Sequence, residues 1–585
     1  MKKYRSKSSV LSSFFDRDWR FGPAMSRRGL LKAAASLATF ATLPAALANV
    51  EDDKTRRSHH GFLKVDLQVK LARNVIPGMA PAGVSRPDDG LIREVHTRTY
   101  DGMIPGPTLR VRRGDTLQLR LFNELRGLAD IPMMDDDMNR PHEFNVTNVH
   151  VHGLHVSPRD NSDNVFIEIP PGEFFEYEYK IPEHHPDGTY WFHPHHHGAV
   201  AFQFMGGMAG ALLIKGPTDD ALRDYFGKIE ERLLVLQQIR VNNDPTFGLG
   251  EVPLIRNFLD LTLAPLFTVN GQVNPTIRMQ PGEVQRWRFI HAGMTEHFPL
   301  ELRPVPSDEQ DEPEPLPLYP IAYDGITLAK PEETTRIFMA SGNRIDVLVQ
   351  APQQAGVYEL WKPQLDQGLV PEPGACRFMA TVIVQGRSIS MPSPAALSSL
   401  PAPFEDIMDR ELAPQQMLPH RVITWGEDFS PILTPIGPDP TKGFPRFLIG
   451  GRYAYDRSQD QVLPLDDGTL LQFDAERLDQ IIRLGSVEEW EIVNPGFVDH
   501  SFHIHQFSFQ VTKINGQKLN PPKWYDTINV PRRSTPFDPP GSVTFRARIE
   551  GVKGNEDDIV GKFVLHCHLL DHEDLGMMQV VEVEL

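Results

Sequence analysis

Four short stretches of the chain carry histidines at spacings that could gather imidazoles around metal ions. They are His150-Val151-His152-Gly153, Trp191-Phe192-His193-Pro194-His195-His196-His197-Gly198, His500-Ser501-Phe502-His503-Ile504-His505, and His566-Cys567-His568 followed by His572 and Met577. On an extended strand, residues i and i+2 project from the same face, so each His-x-His pair can offer two nitrogens to one site. Imidazole suits copper, zinc, iron and nickel. One such pair is weak evidence, because a lone buried histidine is commonly satisfied by the protein itself. Four pairs in a chain of 22 histidines are not explained that way.

The fourth stretch narrows the metal. With His566 and His568 on one face of a strand, Cys567 points to the other, so one strand joins two metal environments. Cys567, His572 and Met577 follow at intervals of five residues, and His500 is available from the third stretch. Two imidazoles, a thiolate and a distant thioether form the ligand set of a blue-copper electron-transfer site. A structural zinc site would draw on more cysteines and rarely on methionine.

Such pairs need strands to hold them, and the rest of the sequence supplies strands. Leu117-Gln118-Leu119-Arg120-Leu121 and Phe174-Phe175-Glu176-Tyr177-Glu178-Tyr179 alternate apolar and polar as half-buried strands do. Long helical periods are scarce. A strand, tight turn, strand unit recurs three times. Pro107-Thr108-Leu109-Arg110 leads through Gly114-Asp115 to Leu117–Phe122. Pro275-Thr276-Ile277-Arg278 leads through Pro281-Gly282-Glu283 to Arg286–Phe289. Ile481–Leu484 leads through Gly485-Ser486 and Glu488-Glu489 to Trp490–Ile492. The recurrence implies three related β domains.

Size agrees, since 585 residues are too many for one core and suggest three or four domains at roughly 100–200 residues each. Apolar residues at 40% exclude a disordered chain, and 52 Pro and 44 Gly without periodicity fit a turn-rich β protein. The net charge of −18 argues against nucleic-acid binding, which needs a basic face. Two cysteines, Cys376 and Cys567, exclude a disulfide scaffold; Cys376 reads as a buried free thiol.

The first 48 residues read as an export signal. Ser26-Arg27-Arg28-Gly29-Leu30-Leu31-Lys32 resembles the twin-arginine motif, and Ala46-Leu47-Ala48 suits cleavage before Asn49. Met25 is an alternative start. The apolar stretch is short of the ~20 residues a membrane span needs, so no stable membrane insertion is expected. The reading places the protein in the periplasm, as a monomer. Residues 49–216, 231–385 and 420–585 form the expected domains. Gly216–Glu230 is read as a polar linker and 386–419 as a Pro- and Ser-rich one.

Taken together and in this order, the four stretches resemble the copper motifs of the multicopper oxidases, a family that includes laccases, bilirubin oxidases and bacterial cuprous oxidases. The resemblance reaches the middle domain only through the repeat and Ala322-Tyr323-Asp324-Gly325. It implies an all-β fold of three cupredoxin-like Greek-key β-barrel domains, with a cluster between the first and third. It implies four coppers per chain. His500, Cys567 and His572 would bind type 1, with Met577 axial. His150 and His503 would bind type 2. His152, His193 and His568 would hold one type 3 copper, and His195, His505 and His566 the other.

The activity implied is one-electron oxidation of a small-molecule or metal-ion reductant, docked at an exposed edge of His500, coupled to reduction of O2 to water. Glu573 lies where bacterial relatives carry a proton-relay carboxylate, and Asp163 or Asp160 could serve the type 2 side. His155, His184, His185, His196 and His197 are left over; His196 and His197, beside ligands, are expected to be partly exposed and incidental, with hydrogen-bonding support of the ligands as the alternative. The loop Met133–Met138 reads as solvated, with a cation as the alternative ligand. Rival classes are a periplasmic copper-tolerance protein that binds Cu(I) without turnover, a cupredoxin module without catalysis, and a copper nitrite reductase, which lacks the paired type 3 histidines.

Overall fold

The computed structural model describes residues 54–77, 93–128, 130, 132–133, 137–240, 265–305, 313–368, 378–412, 421–430, 444–456, 461–551 and 558–585. The export segment, Cys376 and residues 134–136 of the methionine loop lie outside the described residues. Among the described residues, strands dominate and pair into six sheets, two within 55–215, two within 230–384 and two within 421–584. No helix among them is long and apolar enough to cross a membrane.

The alternation read from the sequence sets which face each strand buries. Thr116–Asn123 buries Leu117, Leu119 and Leu121 and leaves the intervening residues partly solvated. Gly188–His193 and Val284–Ala292 are buried at every position, as strands covered on both faces must be.

The threefold unit is present, but its two strands never pair with each other. Thr108–Arg112 and Thr116–Asn123 belong to different sheets, as do Thr276–Met279 and Val284–Ala292, and Leu478–Arg483 and Val487–Asn494. The turn is therefore a corner that carries the chain between the two sheets of one unit. Gly114, Gly282 and Gly485 occupy it at φ of 81°, 79° and 79°, where a side chain is disfavoured. Asp115 and Glu283 close two of these corners by accepting the amides of Arg112 (2.7 Å) and Gln280 (2.6 Å). The strand after each corner runs parallel to an early strand of its unit, Phe62–Ile76, Glu230–Ile239 and Arg421–Asp428 in turn. Three units thus share one plan.

The connectors differ from expectation. Residues 217–226 form a helix, Pro217–Phe226, rather than a loose polar linker. Leu222 and Phe226 lie four apart on one helical face and are buried against Val284, Ile321 and Leu348. Leu397 and Leu400, from the Pro- and Ser-rich stretch, join the same cluster. These apolar residues tie the connectors to the middle unit. The largest core draws Trp191, Ile290 and Trp490 from all three units, and the histidine stretches are built around it.

Candidate metal centre

Two strand pairs carry the histidines. His150–His152 runs antiparallel to Gly188–His193, with His150 opposite His193. His500–Ile504 runs antiparallel to Gly561–Cys567, with Phe502 opposite Cys567 and His503 opposite His566. Across the two units, His150 stacks on His505 (3.8 Å between ring centres) and His152 on His503 (3.9 Å). His150, His152, His193, His195, His503, His505, His566 and His568 are all at most 2% exposed.

In most of these rings the protein uses one nitrogen and leaves the other without a partner. His150 Nδ1 donates to Asp163 at 3.0 Å, and its Nε2 is buried and unpaired. His193 Nδ1 donates to Pro194 O (2.9 Å) and His503 Nδ1 to Asp526 O (2.8 Å); both Nε2 atoms are unpaired. His152 is turned over, with Nε2 donating to Thr527 Oγ1 (3.1 Å) and Nδ1 unpaired. His566 Nε2 lies 3.3 Å from His195 Nε2 and 3.2 Å from His505 Nε2. Lone pairs brought this close repel unless a cation or proton sits among them. Leaving so many buried nitrogens unpaired would be costly in an ordinary core. The donors fit metal ions, and the sets His150/His152/His193, His150/His503/His505 and His195/His505/His566 each keep their ligand atoms within 4.8 Å of one another.

A separate set surrounds Cys567. Its Sγ lies 3.5 Å from His500 Nδ1 and 3.8 Å from His572 Nδ1, and those two nitrogens are 3.1 Å apart. Met577 is fully buried beside them, its amide bonded to His572 O and its carbonyl to the Cys567 amide. Phe447 stacks on the His572 ring at 3.8 Å. The expected exposed edge of His500 is not there. His500 is fully buried, Trp425 packs against it, and its Nε2 donates to Glu427 Oε1 at 3.0 Å.

The carboxylates separate. Glu573 is fully buried, with Oε1 3.5 Å from His195 Nδ1 and Oε2 3.0 Å from His566 Nδ1. Burial alone would raise its carboxyl, but the two imidazoles bring it down to about 2. Asp163 is buried against His150 and also accepts Val151 N and Gln506 Nε2; desolvation pushes it up to about 7. Asp160 is exposed, in the wall of a cavity that also reaches His195. His196 is buried, contrary to expectation, while His197 is partly exposed; His185 is buried as well.

The middle unit's part in the centre was not legible from spacing. Arg344, fully buried, grips Asp526 with both guanidinium nitrogens at 2.8 and 2.6 Å. Asp526 in turn lies 3.3 Å from His152 Nε2. Asp324, from the Ala-Tyr-Asp-Gly stretch, accepts the amides of Asp526 and Thr527 at 3.1 Å. The second unit thus holds the loop of the third that orients His152 and His503. Of these residues only Asp324 lies in a stretch with a family signature, Ala322-Tyr323-Asp324-Gly325.

The buried imidazoles make stability depend on pH in the metal-free protein. Burial first, then neighbouring imidazoles, hold His193 at about 3, and burial holds His195 at about 4 despite Glu573; His150, His152, His503, His505 and His568 also fall well below the usual range. Unfolded, each protonates near 6.5. Below that pH the unfolded chain binds more protons, so the stability present above about 6.5 is lost as pH falls toward 4. Raised buried carboxyls, Asp163, Asp324, Asp571 and Asp574 among them, act oppositely but are outnumbered by the depressed imidazoles. The urea midpoint of chelator-treated protein is expected to fall steadily from pH 7.5 to 5; a flat profile would contradict this packing.

Comparison with known proteins places these residues among relatives. Residues 138–219 and 452–585 each match a family model described as multicopper oxidase. A laccase of Bacillus stratosphericus is 24% identical over 522 residues, covering 83% of this chain and 90% of its own. A multicopper oxidase of Campylobacter jejuni described as a metallo-oxidase superposes with a TM-score of 0.62 at 23% identity, over 90% of this chain and 92% of that one. A laccase-like multicopper oxidase from an Ochrobactrum species gives 0.61 at 22%, over 91% and 99%. Both structural likenesses are in fold.

Proposed function

The chain belongs to the multicopper oxidase family, and from that premise we propose that it oxidises phenols or aromatic amines one electron at a time near Cys567, with dioxygen as acceptor at the histidine cluster. It is a copper-dependent oxidase that uses O2. Bound copper would supply single-electron transfer at one site and four-electron reduction of dioxygen at the other. His500, Cys567 and His572, with Met577 buried beside them, would hold type 1 copper, and His150 and His503 type 2. His152, His193 and His568 would hold one type 3 copper, and His195, His505 and His566 the other. The groupings His500/Cys567/His572 and His195/His505/His566 support two of these sets, and the unpaired nitrogens of His150, His152, His193, His503 and His568 support metal binding by the others.

The observation that favours an organic reductant is Glu427. A phenol or arylamine sheds a proton as it gives up an electron. Glu427 sits on the outer nitrogen of His500, where a carboxylate can accept that proton while His500 Nε2–H stays bonded to it. The exposed rings of Phe429, two residues along, and Phe497, next to the Gly496 that packs on Glu427, supply apolar faces for an aromatic donor. At the oxygen side, Glu573 and Asp163 are the proposed proton holders. The twin-arginine-like segment supports export to the periplasm, and we propose a monomer there.

Oxygen uptake by the copper-loaded protein tests the proposal. Uptake is expected with a methoxyphenol, and Glu427→Gln is expected to lower kcat/KM for it by roughly 10²-fold. Oxidation of ferrocyanide, which releases no proton, should change little. Equal loss with both donors, or faster oxidation of Cu(I) than of any phenol, would overturn the organic assignment. Four bound coppers without uptake would leave a copper-binding protein instead.

A further inference from the structure

A second group of metal donors lies outside these two sites. A cavity of about 650 Å³ opens between the first and third units, and its first-unit wall carries Met133, Met138, His142, Glu143 and His196 as well as His195 of the cluster. His142, Glu143 and His196 keep one ligand atom each within 4.8 Å of the others. Glu143 Oε2 lies 3.5 Å from His196 Nε2 and 3.9 Å from His142 Nε2. Ligands on one tetrahedral ion at about 2.0–2.2 Å stand slightly closer than this, so a small contraction would close the set.

Four details show that the arrangement is built. His142 Nδ1 donates to Arg140 O at 2.7 Å, which leaves the lone pair on Nε2, the nitrogen nearest Glu143. His196 is 5% exposed, and its Nε2 has no hydrogen-bond partner. Gly198, at φ 90°, lies so close to the His142 ring that a Cβ would meet its Nδ1 at 2.2 Å. Only glycine lets the histidine-rich turn seat against His142 and bring His196 beside it. Glu143 itself is held in the left-handed region at φ 48°, a conformation that surroundings must enforce.

We propose that His142, Glu143 and His196 form a further metal site, for a labile first-row divalent ion and copper(II) first, in the cavity that reaches the histidine cluster. Two imidazoles and a carboxylate accept copper(II) or zinc(II), and the general affinity order favours copper. The thioethers of Met133 and Met138 in the same walls give the cavity soft donors as well. The ion shares its cavity with His195 but takes none of the cluster's ligands.

The test titrates the copper-loaded protein with copper(II), and separately with cobalt(II), and counts ions bound above each sample's own resting content. Wild type is expected to take one further equivalent, with the visible ligand-field bands of cobalt bound to nitrogen and oxygen donors. Glu143→Gln is expected to weaken that equivalent by more than the roughly 10–100-fold that losing even an outer partner costs, and His142→Ala to abolish it. Because the count is relative, it reads this site whether or not four coppers are built. No extra equivalent in wild type, or an equal one in both variants, would overturn the proposal.

Discussion

Cys567→Ser is expected to remove the intense visible thiolate–copper absorption, to lower copper from four per chain to three, and to reduce phenol-dependent oxygen uptake to background. The expectation follows from burial. Cys567 is fully buried, and desolvation pushes its thiol far above the usual range. Without a metal it stays protonated; a copper ion between Sγ, His500 Nδ1 and His572 Nδ1 would replace that proton. A serine hydroxyl is harder, less acidic and slightly shorter, so it holds copper poorly there. Cys567 is also the covalent link between His566 and His568, which face the other cluster. Losing the ion at Cys567 should therefore cut the electron supply while the cluster keeps its metal. Copper analysis and electron paramagnetic resonance check this: type 1 signal gone, type 2 retained. A surviving blue band would show that Cys567 is not the ligand.

Arg344→Met is expected to cost roughly 3–5 kcal/mol of stability, the range for breaking a buried ion pair from one side. Arg344 has no exposed surface, bonds both oxygens of Asp526, and also donates to Thr189 O and Asp324 O. Burial opposes its charge, but Asp526 and Asp324 restore it and hold its pKa above the ordinary value. Methionine fills similar space but leaves two carboxylates without their cation. Asp526 anchors His152 and His503 through its side chain and carbonyl, so copper affinity at the cluster should also fall, by roughly 10–100-fold. The blue band should persist, because none of the Cys567 ligands touches this network in the structure. Denaturant unfolding and copper titration read the two effects. Unchanged stability would mean the pair is not buried as described.

Parts of the fold were legible because they are local. Strand alternation needs only neighbouring residues, and each corner needs one glycine, joined in two of the three by an acid three residues from the amide it closes. The helix Pro217–Phe226 was missed because its apolar face is only Leu222 and Phe226, too thin a stripe to stand out among aspartates. In the site, the His-x-His pairs were legible because strand geometry turns a spacing of two into a shared face. His142 and Glu427 were not: neither stands in a spaced pair, and each becomes a donor or acceptor only through packing on His196 and His500.

By itself, then, the chain's order of residues determined which side chains could be ligands, which of them share a strand, and that three similar β units would carry them. These are consequences of periods of two and of turn chemistry, which act over a few residues. Tertiary structure alone decided the rest. It joined His152 to Asp526 across 374 positions and Arg344 to Asp526 across 182, covered His500 with Glu427, and laid His196 beside His142. Orienting a buried imidazole takes a partner at hydrogen-bond distance, and that partner can come from any segment the core brings close. Nothing in local spacing encodes which segment that will be.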